Sequence, residues 1–171
     1  MRLTVYSDYS LRMLIYLALK DDRLATIGEI ADAYGISRAH LMKVAHQLGV
    51  KGFVGTVRGR QGGLRLARGP GEIVLGDVVR ATEPDTALVP CFAPVCANCA
   101  IVPSCVLRRA LHEALASFFD VLDGYTLADL VRPSVPLRRL LGMDATGRDV
   151  VDGSAHGIGS PGEDALSNRP I

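Results

Sequence analysis

Between Thr26 and Gly49 the sequence spells two helices with only a tight turn between them, and that spacing constrains the fold more than any other feature. Thr26 followed by Glu29 is a capping box, opening a short helix over Ile27 to Tyr34 with Ile27, Ile30 and Ala31 inward. Gly35 supplies a left-handed stop. Ser37 is the next N-cap, and Leu41, Val44, Ala45 and Leu48 form the buried stripe of a helix ending at Gly49. Two helices joined by three residues predict a helix-turn-helix, whose second helix is built to enter a DNA major groove. After Gly52 the helical period gives way to β-rich runs, Phe53 to Val57 and Leu64 to Ala67, joined by the glycine-rich Arg58-Gly59-Arg60-Gln61-Gly62-Gly63. A hairpin in that position is the wing of a winged helix. The expected fold is therefore mainly α with one small β-hairpin.

Charge supports the same reading. The chain's net +1 divides at Gly71: residues 1–71 hold 11 Arg/Lys against 5 Asp/Glu, and the remainder holds 8 against 13. No acid occurs between Asp32 and Glu72, a stretch that carries Arg38, Lys43, Lys51, Arg58, Arg60, Arg65 and Arg68. A same-sign run of this kind suits a polyanion. Ser37, Arg38, His40 and Lys43 lie at the start of the second helix, off its apolar stripe, and are the candidate DNA contacts. Arg38 has the planar fork for a guanine edge, whereas Lys43 suits a phosphate. On the wing, Arg58, Arg60, Gln61 and Arg65 are the candidates, for the backbone or a narrow minor groove. Two copies of such a domain would read an inverted repeat in double-stranded DNA.

Other helices flank this unit. Ser7 is a good N-cap for a first helix in which Leu11, Leu14, Ile15 and Ala18 recur at helical spacing, with Asp8 in the first turn. Val74 to Ala81 reads as a further helix, broken by Glu83-Pro84-Asp85. From Ser104 or Cys105 a long helix steps through Leu107, Leu111, Leu115, Phe118 and Leu122 until Gly124. Its apolar stripe is wide for a small domain, which points to a twin helix from a second subunit and a homodimer. Thr126 and Asp129 make a weak capping box for one last helical turn. The expected organisation is a DNA-binding domain over 1–83, a cysteine-rich loop over 84–105, a dimerisation helix with a short C-terminal helix over 106–140, and a disordered tail over 141–171. Apolar runs such as Leu14 to Leu19 are far too short to span a bilayer, and Arg2, Asp8 and Arg12 stand where a signal peptide would be apolar, so a cytoplasmic protein is expected. No Walker-type glycine loop and no nucleophile–base arrangement point to an enzyme.

All four cysteines, Cys91, Cys96, Cys99 and Cys105, lie within 15 residues of one proline-rich loop. Cytosolic thiols stay reduced, so three readings stand: an iron-sulfur cluster, a four-thiolate zinc knot, or a thiol switch sensing oxidants. Spacing alone does not choose among them.

The opening Ser7-Asp8-Tyr9-Ser10-Leu11-Arg12, the helix start Ser37-Arg38-Ala39-His40-Leu41, the wing Arg58-Gly59-Arg60-Gln61-Gly62-Gly63-Leu64-Arg65-Leu66 and the run Gly124-Tyr125-Thr126-Leu127-Ala128-Asp129-Leu130-Val131 together resemble the winged-helix iron-sulfur repressors, in particular their nitric-oxide-sensing members. The resemblance covers roughly residues 1–140. It implies a DNA-binding repressor whose cluster is held by three loop cysteines, the last two with five residues between them. Cys99 and Cys105 have that separation and Cys91 supplies the earlier ligand, with Cys96 a possible replacement for Cys99. Members that regulate cluster assembly carry a histidine three residues after the last cysteine, where this chain has Arg108, which favours a 4Fe-4S over a 2Fe-2S cluster. The resemblance also implies that Asp8, from the other subunit, is the fourth ligand; its other reading is a carboxylate favoured by a positive helix end.

Overall fold

The computed structural model describes residues 2–20, 23–92 and 99–143. Its elements run α1 (Val5–Leu19), α2 (Ile27–Tyr34), α3 (Arg38–Val50), β1 (Val54–Val57), β2 (Gly63–Leu66), α4 (Leu75–Thr82), α5 (Val106–Asp123), α6 (Leu127–Leu130) and α7 (Ser134–Leu140). The helix-turn-helix forms as the caps dictate. The backbone N–H of Glu29 donates to Thr26 Oγ1 at 3.1 Å, that of Thr26 donates to Glu29 Oε2 at 2.6 Å, and Gly35 ends α2 at φ 64°. Lys20 reaches across to Glu29 Oε1 at 2.6 Å, joining α1 to this cap. Ser37 occupies the N-cap position of α3, but its side chain makes no capping bond.

The core is one cluster built from α1, both helices of the motif, the hairpin and α4. Met13, Leu14, Ile30, Leu41, Leu48, Ile73, Val78 and Leu127 are fully buried in it. β1 and β2 pair antiparallel from Val54↔Leu66 to Val57↔Gly63, and Ala25 bridges to Leu64 on the hairpin's other side. That bridge needs Gly63, because a Cβ there would lie 2.8 Å from the carbonyl oxygen of Ala25. The connection between the strands turns at Gly59, whose φ of 119° favours glycine.

The first helix departs from expectation. Its N-cap is Thr4, whose Oγ1 accepts from the Ser7 backbone N–H at 3.2 Å, and Ser7 lies inside the helix, fully buried. The buried face runs through Ser7, Ser10, Met13, Leu14 and Leu17, while Leu11, Ile15 and Ala18 are only partly covered. Glu83, just past α4, selects this start: its Oε1 accepts from both the backbone N–H (2.8 Å) and the hydroxyl (3.1 Å) of Thr4. Desolvation raises the Glu83 pKa, but hydrogen bonds from Ser7 and Thr4 outweigh it and hold the carboxyl below its usual range. A depressed folded-state pKa contributes stability above the unfolded value, and that stability is lost as pH falls through the folded one. Glu83→Gln is therefore expected to cost about 1–2 kcal/mol at pH 7. The cost should shrink below about pH 4.5, which thermal melts at several pH values would measure.

The long helix begins at Val106, with Cys105 as its N-cap. Arg80 of α4 clamps its far end, donating to Asp123 Oδ1 at 2.8 Å and Oδ2 at 2.5 Å while its guanidinium lies 4.6 Å over the Phe119 ring. Gly76 leaves room for this ion pair, because a Cβ there would run into the Asp123 carboxylate. No residue of α5 is buried within the chain, and Leu107 is 65% exposed. Leu111, Leu115, Phe118 and Leu122 are only partly covered. The capping box of Thr126 and Asp129 opens α6 as expected, and α7 is an additional helix that the sequence reading lacked. Residues 141–143 continue from α7 as a turn, and the rest of the expected tail lies outside the described residues. No helix among the described residues is long and apolar enough to cross a membrane.

Candidate cluster site and nucleic-acid interface

The cysteine loop folds back onto the start of α5. Cys91 lies in a 3-10 turn (Pro90–Phe92), and a second such turn (Val102–Ser104) leads into Cys105. The Cys105 side chain caps α5, its Sγ accepting from the Arg108 backbone N–H at 3.3 Å. The Arg108 side chain reaches the other way: Nε donates to the Cys91 carbonyl at 3.0 Å. One turn further along, His112 meets the Phe92 ring edge-on at 5.8 Å. Cys91 and Cys105 are thus tied to the same helix start through one arginine. Cys99 is exposed, and its carbonyl accepts from the Val102 N–H that opens the second turn. Cys91, Cys99 and Cys105 are all free thiols. Cys96 lies outside the described residues.

The chemistry of this donor set suits an iron-sulfur cluster. Three free cysteines lie on one loop, and a cluster ligated by them would be anionic, which the α5 N-terminus with Arg108 and Arg109 would favour electrostatically. A cavity of about 470 Å³ lies here, lined by Pro103, Ser104, Cys105, Arg108, Arg109 and His112 among others. Among the described residues, no group of three or more His, Cys, Asp or Glu side chains already stands together as a metal site within this chain. Asp8 stands apart in the first turn of α1, half exposed, its Oδ1 accepting from Arg12 Nε at 3.0 Å. Exposed i,i+4 pairs of this type hold little, so the carboxylate is available to another partner at small cost.

The candidate recognition residues lie on the exposed side of α3. Ser37, Arg38, His40 and Lys43 all face solvent. Arg38 leans back over Gly28, its Nη2 3.4 Å from both carboxylate oxygens of Asp32. His40 rests beside Tyr9 of α1, ring centroids 6.3 Å apart. Arg58, Arg60 and Gln61 are exposed at the wing tip, and Arg58 shares a hollow with Met42, His46 and Thr56. Arg65 is different. It lies opposite Gly55 in the hairpin register, and lines a separate hollow with Leu17, Ala18 and Arg68, beside the end of α1. Met42 and Thr56, which line the hollow that Arg58 shares, are not among the residues the sequence singled out; strand register placing Thr56 beside Leu64, and the position of Met42 off the buried stripe, were the available signals.

Residues 3–133 match the Rrf2 family, described as iron-dependent transcriptional regulators. The chain is 51% identical over 142 residues to the HTH-type transcriptional regulator NsrR of Geobacillus kaustophilus (strain HTA426), covering 82% of this chain and 97% of that protein. The corresponding regulator of Bacillus subtilis (strain 168) is 49% identical, with 84% and 99% covered. Among solved structures, T. potens IscR superposes with a TM-score of 0.65 at 25% identity, covering 81% of this chain and 91% of that one. The global cysteine regulator CymR of B. subtilis superposes at 0.61 and 26% identity, with 76% and 95% covered.

Proposed function

The chain belongs to the Rrf2 family of iron-dependent transcriptional regulators, and from that premise we propose that it is a cytoplasmic, homodimeric repressor whose hold on double-stranded operator DNA is set by an iron-sulfur cluster that responds to nitric oxide. It is a regulator and not an enzyme. Cys91, Cys99 and Cys105 would hold the cluster, with Asp8 of the partner subunit as the fourth ligand. A 4Fe-4S cluster is favoured over 2Fe-2S, since Arg108 stands where a histidine ligand would be needed and instead hydrogen-bonds the Cys91 carbonyl. When bound, the cluster supplies iron with one carboxylate-held corner that nitric oxide can attack.

The observation that carries the reading is the double engagement of Arg108, which fixes the turns of Cys91 and Cys105 to the first turn of α5. Contacts continue from there to the DNA-binding core: Asp123 of α5 holds Arg80 of α4, Glu83 beyond α4 holds Thr4 of α1, and α1 packs on α3. The uncovered apolar face of α5 supports a second copy as its partner, which would set the distance between two recognition helices. A state that fixes the loop and a state that releases it would then differ in operator affinity, and a signal acts by shifting their populations.

The test uses full-chain protein reconstituted with iron and sulfide under argon, and a duplex it selects from a randomised pool. Nitric oxide is expected to lower affinity in a polarisation titration on the order of 5- to 150-fold; unchanged affinity rejects the coupling. The exposure of Cys99 favours one second reading, a thiol switch, for which a mild oxidant would release DNA reversibly from metal-free protein. A zinc-stabilised regulator would be colourless and indifferent to nitric oxide.

A further inference from the structure

On the recognition helix the charged residues surround one exposed apolar side chain. Met42 is 57% exposed, although it sits mid-helix on a domain with ample core to bury it. It lies between two shallow hollows. One, of about 590 Å³, is lined by Tyr6, Ala39, Met42, Lys43, His46 and Gln47; the other, of about 330 Å³, brings Met42 and His46 against Thr56 and Arg58 of the wing. Ala39, Met42, Lys43 and His46 follow the i, i+3, i+4, i+7 spacing of one helix face. The apolar spot is thus flanked by Lys43 in one hollow and Arg58 in the other, a combination that suits a polyanion carrying an apolar feature.

In the major groove one such feature is the C5-methyl group, which thymine alone carries among the four standard bases. We propose that Met42 is a specificity-determining residue that reads a thymine methyl in each operator half-site, with Lys43 and Arg58 engaging the flanking phosphates. This rests on the DNA-binding reading above and adds a chemical element to the sequence it recognises. The unbranched, polarizable Met side chain adapts to the methyl without demanding a fixed rotamer. Its hydrocarbon leaves water only when the helix is seated, so the contact contributes to matched sites and not to non-specific binding.

The experiment replaces thymines one at a time by deoxyuridine in the duplex that cluster-loaded protein selects from a randomised pool. This removes the methyl and leaves base pairing intact. One thymine per half-site is expected at which demethylation weakens wild-type binding about fourfold, the worth of one buried methyl group, while Met42→Ala protein is insensitive there. Met42→Ala should keep the wild-type slope of affinity against salt, since no phosphate contact is lost. If no thymine distinguishes the two proteins, Met42 does not read a methyl, although sequence-specific binding stands. If the wild type selects no consensus, the DNA reading and this proposal fail together.

Discussion

Serine in place of Cys105 is expected to leave the protein folded, unable to retain stoichiometric iron after anaerobic reconstitution, and on the order of 5- to 150-fold weaker on operator DNA. The substitution separates two roles of one side chain. Cys105 caps α5 through its sulfur, which accepts the Arg108 N–H, and serine is a stronger N-cap than cysteine. The helix therefore loses nothing, whereas a neutral hydroxyl is a poor substitute for thiolate on iron. Iron and sulfide counts, the visible spectrum and far-ultraviolet circular dichroism together read the outcome. A Cys105→Ser protein with full iron content and unchanged affinity would remove Cys105 from the cluster and leave Cys91, Cys96 and Cys99 as the cysteines that could hold it.

Arg38→Ala carries the second large effect. Losing a bidentate contact to a guanine edge costs about 1–3 kcal/mol of discrimination, so the variant should bind a matched duplex roughly 5- to 150-fold more weakly and tolerate substitution at one position per half-site. In the free protein Arg38 is paired with Asp32, both side chains mostly exposed and the nitrogen 3.4 Å from the carboxylate. Such a pair holds about 0–1 kcal/mol, less than the base contact offers, so the guanidinium is free to swing outward. Titrating Arg38→Ala against duplexes varied one base pair at a time distinguishes the roles: uniform weakening at every sequence would make Arg38 a phosphate contact.

The parts of the fold that were legible in the sequence are those fixed by neighbours in the chain. The Thr26–Glu29 box, the left-handed Gly35 and the apolar stripe from Leu41 to Leu48 are complete within a few residues, and they appear as read. The start of α1 was not legible because Thr4 and Ser7 are equally good caps locally, and a carboxylate 79 residues away decides between them. The last helix, α7, hides behind Pro136, which reads as a breaker yet sits in the first turn, where its missing N–H costs nothing. At the candidate site, the cysteine clustering was visible, but nothing in the spacing shows that Arg108 reaches back 17 residues to Cys91 and so ties it to Cys105. Arg65 was grouped with the wing-tip cations by composition; period-2 alternation separates it from Thr56 and Leu64 and turns it toward α1.

Strand β2 is held on both sides, by β1 pairing and by the Ala25 bridge to Leu64, so that only residues 58–62 project beyond the ladder. Ordering a residue costs about 1–2 kcal/mol of backbone entropy, and here that toll is confined to five positions. The arm is almost preshaped, a short basic fingertip on a knuckle that stays still.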